Sequence, residues 1–386
     1  MQTSRWFGVG VADQSEPDAG TRAAGGALAG ADAKLLIVFA SPSQDLRELL
    51  RQIRARSGDV PLIGCSTAGE IATSGGGDAS VVVAALGGDG FAIQTAVAGE
   101  AWRDARGAGA AVARRVPCAE ARPHRALLLL TDGLAGRQQE ILTGAYGVLG
   151  AGVPLVGGCA GDDGRMKRTF QFYGDRVLAN SVVAAGIASD APLGVGVRHG
   201  WRSLGETLVV TRSSGNRVYT LDDRPALDVY LEQLEHDDDG LDEKAFRALA
   251  LTHPLGLSRP RGEEQIRFVR AADFAGGSLA CRSEIPQGRL VRVMAGDAAS
   301  VLSATDAACE ESLTALGGRS PLGALAFDCT ERRELLGERG TDEEIDRLVG
   351  SVSGAPLAGF YTYGEIARTQ GVRGFHNQTL VVLTIA

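Results

Sequence analysis

The chain has 386 residues, 44% of them apolar and 22% charged, a composition that excludes a disordered tail, a collagen-like fibre and a disulfide-stapled mini-protein. Its length predicts two or more domains. A net charge of −8 and a pI near 5.3 exclude nucleic acid as the main partner, because neutralising phosphates requires a basic field. Cys65, Cys118, Cys159, Cys281, Cys309 and Cys329 stand far apart without metal-ligand spacing, so no metal site is expected. The opening MQTSRWFGVGVADQ lacks the charged and apolar regions of a secretory signal, and no run reaches the ~18 apolar residues of a membrane span. The expectation is a cytoplasmic protein with free thiols and no membrane contact.

In chain order, an apolar strand is predicted at 35–40, then a helix with Leu46, Leu49, Leu50 and Ile53 on one face. The segment Pro61-Leu-Ile-Gly-Cys-Ser-Thr-Ala-Gly-Glu70 follows, and a strand at 80–86. The order recurs with a strand at 126–130, a helix carrying Ile141, Leu142, Tyr146 and Leu149, the segment Pro154-Leu-Val-Gly-Gly-Cys-Ala-Gly-Asp-Asp163, and a strand at 182–187. Gly194-Val-Gly-Val197 then reads as an alternating strand whose glycines mark close approach by a backbone or a ligand. A third copy has a strand at 322–327, a helix with Ile345, Leu348, Val349 and Val352, the segment Pro356-Leu-Ala-Gly-Phe-Tyr-Thr-Tyr-Gly-Glu365, and a strand at 379–385.

Aligned without gaps, the segments share Pro-Leu, a Gly three positions on and a carboxylate nine positions on. The starts at 61, 154 and 356 leave a last gap about twice the first, and Pro254-Leu255 with Glu263 stands midway as a degenerate fourth copy. The expected fold is α/β, with two pseudo-symmetric halves built from about four strand-helix-strand-turn-strand repeats of roughly 100 residues. The seam falls at Asp222-Asp223, giving domains 1–222 and 223–386; the acidic stretch 236–242 reads as an exposed loop.

Small-residue turns expose backbone N–H groups, and Thr67, Thr362, Glu70 and Glu365 add donors and acceptors at matching places. A carboxylate facing backbone N–H groups complements a zwitterion such as an amino acid. The candidate ligand-binding set is therefore Thr67, Gly69 and Glu70 with Thr362, Gly364 and Glu365, and Asp162, Asp163, His376 and Asn377 at the rim.

The segments GCSTAGEI (64–71), GGCAGDD (157–163), GVGVRHGWRSLG (194–205), GFYTYGEI (359–366) and FHNQT (375–379) resemble the FIST family, over nearly the whole chain from about residue 30. The stretch 210–234 resembles that family's crossing between its N-terminal and C-terminal domains. The resemblance implies a sensory, small-molecule-binding protein, with amino acids as proposed ligands and a separate signalling protein, such as a histidine kinase, as partner.

Two alternatives remain open. One branch of the family is similar to haem-binding nitric oxide sensors that regulate histidine kinases, for which His199, His253 or His376 would supply an axial ligand. A cysteine-dependent enzyme would use Cys65 or Cys159, but no His lies beside either, and G-x-S-x-G, H-E-x-x-H and P-loop patterns are absent. No catalytic residue and no cofactor is expected. Gly75-Gly76-Gly77 lacks a phosphate-loop lysine, and Asp237-Asp238-Asp239 reads as a solvated loop.

Overall fold

The computed structural model describes residues 4–74, 77–115, 122–236, 240–259, 263–369, 371 and 373–386. Cys118, Gly75, Gly76 and Asp237-Asp238-Asp239 lie outside the described residues.

The first unit runs β1 (Trp6–Asp13), α1 (Ala19–Ala27), β2 (Ala33–Ala40), α2 (Leu46–Ser57), β3 (Leu62–Ser66), β4 (Glu70–Ala72) and β5 (Ser80–Gly87). The second runs β6 (Phe91–Ala98), α3 (Ala105–Arg115), β7 (His124–Thr131), α4 (Gln138–Leu149), β8 (Leu155–Cys159), β9 (Gln171–Tyr173), β10 (Arg176–Leu178) and β11 (Val182–Ser189). A third opens with β12 (Leu193–Arg198) and is interrupted by an insertion. The inserted elements are β13 (Arg202–Ser214), β14 (Arg217–Leu221), β15 (Arg224–Pro225), α5 (Ala226–Gln233), α6 (Glu243–Thr252), β16 (Leu255–Leu257), β17 (Gln265–Arg267), β18 (Val269–Asp273), β19 (Ser278–Cys281) and β20 (Leu290–Ala295). The unit then resumes with α7 (Ala298–Thr314), β21 (Gly323–Cys329), α8 (Thr330–Ser351), β22 (Leu357–Thr362), β23 (Glu365–Arg368), β24 (Phe375–His376) and β25 (Leu380–Ile385).

The molecule is mixed α/β, and the three units share one strand order: β1-β5-β2-β3, β6-β11-β7-β8 and β12-β25-β21-β22. In each, the strands flanking the longer crossover (β2/β3, β7/β8, β21/β22) are parallel. Each unit also lends a short strand to a neighbour: β4 pairs with β22, β23 with β8, and β9 with β3. The exchange closes a ring of three. Two halves of two repeats is therefore not the arrangement that the sheet pairing gives. The segment at Pro254 lies in the inserted, antiparallel sheet, where β16 is a three-residue strand between β17 and β20. Its Glu263 is exposed and faces Arg198 and His199. Helix-then-strand order in sequence does not distinguish a parallel crossover from helices that lead into a hairpin. The turn Asp222-Asp223 joins β14 to β15 within this inserted sheet.

Burial on both sheet faces explains the unbroken apolar runs. Leu35, Ile37 and Phe39 point into a central cluster that includes Leu128, Leu130, Phe327, Phe360 and Leu383. Their alternates Leu36, Val38 and Ala40 pack under α1 and α2 with Leu46, Leu49, Leu50 and Ile53. Asp45 starts α2 by accepting the N–H groups of Arg47 and Glu48. The glycines of β12 do mark close approach: a Cβ at Gly194 or Gly196 would stand 1.8 Å from the Ser312 or Ala308 carbonyl of α7. Trp201 is a core residue whose indole N–H donates to the Gln378 carbonyl.

Candidate functional site

The three motif turns meet at the centre of the ring, and their backbones satisfy one another. Gly161 N–H donates to the Ser66 carbonyl (2.9 Å), Ala68 N–H to Tyr361 (3.2 Å) and Tyr363 N–H to Cys159 (3.1 Å). Gly69 and Gly364 accept in turn from Tyr361 and Cys159. These five N–H groups are spent on neighbouring turns and not on a ligand, because a buried donor must find a partner and the neighbouring turn is nearest.

The repeated acids close the same turns. The Thr67 hydroxyl donates to Glu70 Oε1, while Ser80 N–H (3.1 Å) and hydroxyl (2.8 Å) donate to Oε2. Thr362 likewise donates to Glu365 Oε1 (2.6 Å) and Thr379 N–H to Oε2 (3.2 Å). Burial pushes the Glu70 carboxyl up to about 7 and the Glu365 carboxyl up to about 8, against the lowering effect of these hydrogen bonds. In the second unit the position belongs to Gln171, whose Oε1 accepts Ser181 N–H at 3.0 Å. The gapless alignment missed it because the second unit has extra residues, 162–170, between turn and strand. Asp162 instead organises that loop, accepting N–H groups from Met166, Lys167 and Arg168 and the Tyr363 hydroxyl. Asp163 accepts from the Ser41 hydroxyl at 2.7 Å.

Beside the first turn lies a cavity of about 880 Å³, walled by Ser41, Ala68, Glu70, Asp78 and Asp163 on one side and by α8 on the other. α8 is broken at Gly337 (φ 63°), which lines the cavity together with Arg333, Glu334, Glu338, Thr341 and Asp342. Arg333 Nη1 donates to the Ala68 carbonyl (3.1 Å) and Asp78 (2.6 Å), and its guanidinium stacks on the Tyr361 ring at 4.7 Å. Gly69 is required for this approach: its φ is +114° and a Cβ there would stand 2.5 Å from Arg333 Nη1. The walls carry six carboxylates (Glu70, Asp78, Asp163, Glu334, Glu338, Asp342) against two guanidinium groups, Arg165 and Arg333. In the floor, the Tyr361 hydroxyl and Thr341 Oγ1 are buried without a hydrogen-bond partner among the described residues. Behind them Arg332 is wholly buried between Asp328 and Glu344 and bonded to both. Buried polar atoms left unsatisfied in a cavity wall call for a polar occupant.

Thr67, Gly69, Glu70 and Asp163 thus gather at or directly behind this cavity, and Asp162 adjoins it. Thr362, Gly364, Glu365, His376 and Asn377 do not line it. Asn377 Oδ1 accepts from the Ser283 hydroxyl, and a Cβ at Gly364 would stand 2.5 Å from the Phe375 ring. The wall formed by α8 was missed from sequence, since nothing in residues 330–342 advertises a partner near residue 70.

The histidines do not fit a haem. His199 Nδ1 accepts Trp201 N–H and its Nε2 faces Glu263 at 3.3 Å; His376 Nε2 contacts the Ala367 carbonyl at 3.1 Å; His253 Nδ1 contacts the Leu249 carbonyl at 2.9 Å. The cavity shared by His199 and His376 is about 150 Å³ and lined by Arg198, Arg259, Glu263 and Glu264, too small and too charged for a porphyrin. Burial pushes the His199 imidazole down to about 4 and His376 down to about 3. Cys65 and Cys159 are fully buried and burial raises both thiols, the opposite of nucleophile activation. Among the described residues no group of three or more His, Cys, Asp or Glu is placed to hold a metal ion, and no helix is long and apolar enough to cross a membrane.

Comparison with known proteins matches residues 34–224 to the FIST N domain and residues 226–368 to the FIST C domain. An uncharacterized protein of Mycobacterium tuberculosis H37Rv is 28% identical over 234 residues, 59% of this chain and 60% of that protein. One of Mycobacterium bovis is 31% identical over 237 residues, 59% of each. An uncharacterized protein of Methanocaldococcus jannaschii is 29% identical over 171 residues, 42% of this chain and 32% of that protein. The chain thus matches about three fifths or less of the length of these relatives. The crystal structure of a chorismatase aligns over 100% of this chain and 99% of that one, with 11% identity and a TM-score of 0.38.

Proposed function

The chain belongs to the FIST family, and from that premise we propose that it binds a small amino-acid-like ligand in the cavity between the first motif turn and α8, and reports it to a separate signalling protein. FIST domains are associated with sensory ligand binding in signalling. The observation that carries the reading is the pairing of opposite charges across one cavity with an unsatisfied polar floor. Arg333, held flat on Tyr361, presents a guanidinium to a ligand carboxylate. Asp78 is already paired with it, and Asp163, Glu338 and Asp342 line the same cavity with acceptors for an ammonium group. The excess of carboxylates favours a ligand carrying a second cation, such as lysine or arginine, over glutamate. Occupancy would bridge the segments of α8 on either side of Gly337, and a change at that break is the signal that a partner, a histidine kinase for instance, would read.

Calorimetric titration with lysine, arginine, alanine and glutamate tests this. The basic amino acids should bind tightest, and Arg333→Ala should weaken them at least tenfold. A ligand at 100 times its Kd stabilises the fold by about 2.7 kcal/mol, so a thermal shift checks the same result. Equal binding by Arg333→Ala, or no binding by any of the four, overturns the assignment.

A further inference from the structure

A second polar region lies on the far side of the third motif turn, where the edge strand β24 meets the edge strand β17 of the inserted sheet. Gln265 and Arg267 of β17 both donate to the Phe375 carbonyl, so the two edges are stitched by side chains. Arg259, Arg267, Arg289 and Arg373 meet there: Arg267 bonds Phe375, two residues from Arg373, Arg289 bonds Ser258, next to Arg259, and the four act on one another electrostatically. Arg267 is only 3% exposed, and its guanidinium donates to the carbonyl groups of Glu284, Ile266 and Phe375 and, among the described residues, to no carboxylate. Arg289 gives one bond to the Ser258 carbonyl, next to Arg259, and its Nε is buried without a partner among the described residues. Arg259 and Arg373 are half-buried and make no hydrogen bond or ion pair among the described residues.

Their mutual repulsion is felt: burial, then Arg373 and Arg259, lower the Arg267 guanidinium to about 10, and Arg373 is lowered by burial and then by Arg289 and Arg259. Glu284 acts on Arg267 from outside ion-pair range, and Glu263 is engaged with Arg198 and His199. Two cavities flank β24, one of about 290 Å³ that Arg267 lines and one of about 150 Å³ that Arg259 lines. In a chain of net charge −8, four partly desolvated guanidinium groups without carboxylate partners among the described residues are a charge imbalance that a bound anion removes.

We propose that this junction is a second binding site, for a compact, multiply charged oxyanion of the phosphate class, held by Arg259, Arg267, Arg289 and Arg373. Among the described residues, Arg289 Nε and the guanidinium groups of Arg259 and Arg373 have no acceptor, and planar forks of this kind suit phosphate oxygens. An anion there would neutralise the repulsion and fasten the inserted sheet to the third unit.

The test is calorimetric titration of the full chain with orthophosphate, pyrophosphate and a nucleoside diphosphate, against wild type, Arg259→Gln, Arg373→Gln and, as a surface control, Arg56→Gln. Pyrophosphate should bind more tightly than orthophosphate. Arg259→Gln and Arg373→Gln should each weaken it about tenfold or more, while Arg56→Gln and Arg333→Ala leave it unchanged. Retention of binding in Arg333→Ala keeps this result separate from the fate of the amino-acid cavity. Because both tested arginines are half-buried, bond nothing among the described residues and repel their neighbours, their thermal midpoints without ligand should equal or exceed that of wild type. Absence of pyrophosphate binding to wild type overturns the proposal, as does unchanged affinity in both variants. Binding of an acidic peptide with none of pyrophosphate would replace it with a protein-docking surface.

Discussion

The first and third motif turns carry the same chemistry and do different things with it. In both, a Thr hydroxyl and the first N–H of the next strand segment close on a buried Glu. The first turn opens onto the cavity that Arg333 enters over Gly69, whereas the third is sealed by the Phe375 ring over Gly364. The insertion between β12 and α7 accounts for part of this contrast, since β17 packs beside β24 and Ser283 engages Asn377. The lesson is that a repeated turn supplies a stable frame, and what packs over it decides whether that frame is also a site.

Removing the acids should separate the two turns most. Glu365→Ala should cost about 3–5 kcal/mol in urea unfolding, because it leaves Thr379 N–H and the Thr362 hydroxyl unpaired in a dry cavity. Glu70→Ala should cost less, about 2 kcal/mol, since cavity water can replace the carboxylate. A Glu365→Gln variant should stay within about 1 kcal/mol of wild type, as Gln171 already fills the equivalent place. Equal losses for the two alanine variants would show that the turns are not differently enclosed.

The pH dependence separates the same two acids. A carboxyl raised by burial binds its proton more tightly in the folded than in the unfolded chain. Its contribution is full below the unfolded value of 4.5 and is lost as pH rises through the folded value. Stability should therefore fall from about pH 4.5, by up to about 1.4 kcal/mol per pH unit per group. The Glu70 share of the loss ends near pH 7 and the Glu365 share near pH 8. Unfolding curves at intervals of half a pH unit should show Glu70→Gln flattening only the portion below about 7.

Glycine substitutions should distinguish the two turns further. Gly69→Ala meets both a positive φ and Arg333 and should cost about 1–3 kcal/mol while weakening amino-acid binding at least tenfold. Gly364→Ala, pressed on Phe375, should destabilise by a similar amount and leave the ligand Kd unchanged. The smallest expected effect is on the cysteines. Cys65 and Cys159 should resist alkylation for hours at neutral pH and react on unfolding, as mass spectrometry would show.

What is local or periodic is legible in the order of the residues. The strands and the face of α2 follow from apolar spacing, and the Thr-x-x-Glu closures from partners three residues apart. The close backbone approach at Gly194 and Gly196 follows from glycine on one strand face. The tertiary structure alone decided the rest. Gln171 took an acid's place across a loop that no gapless alignment spans. Pro254-Leu255 imitated a motif inside an antiparallel hairpin, because a short spacing fixes neither strand direction nor partner. Arg333 reached Ala68 across 265 residues, and Arg267 reached Phe375 across 108. Contacts of that range are set by which strand each unit lends to its neighbour, and residue spacing along one chain carries no record of that exchange.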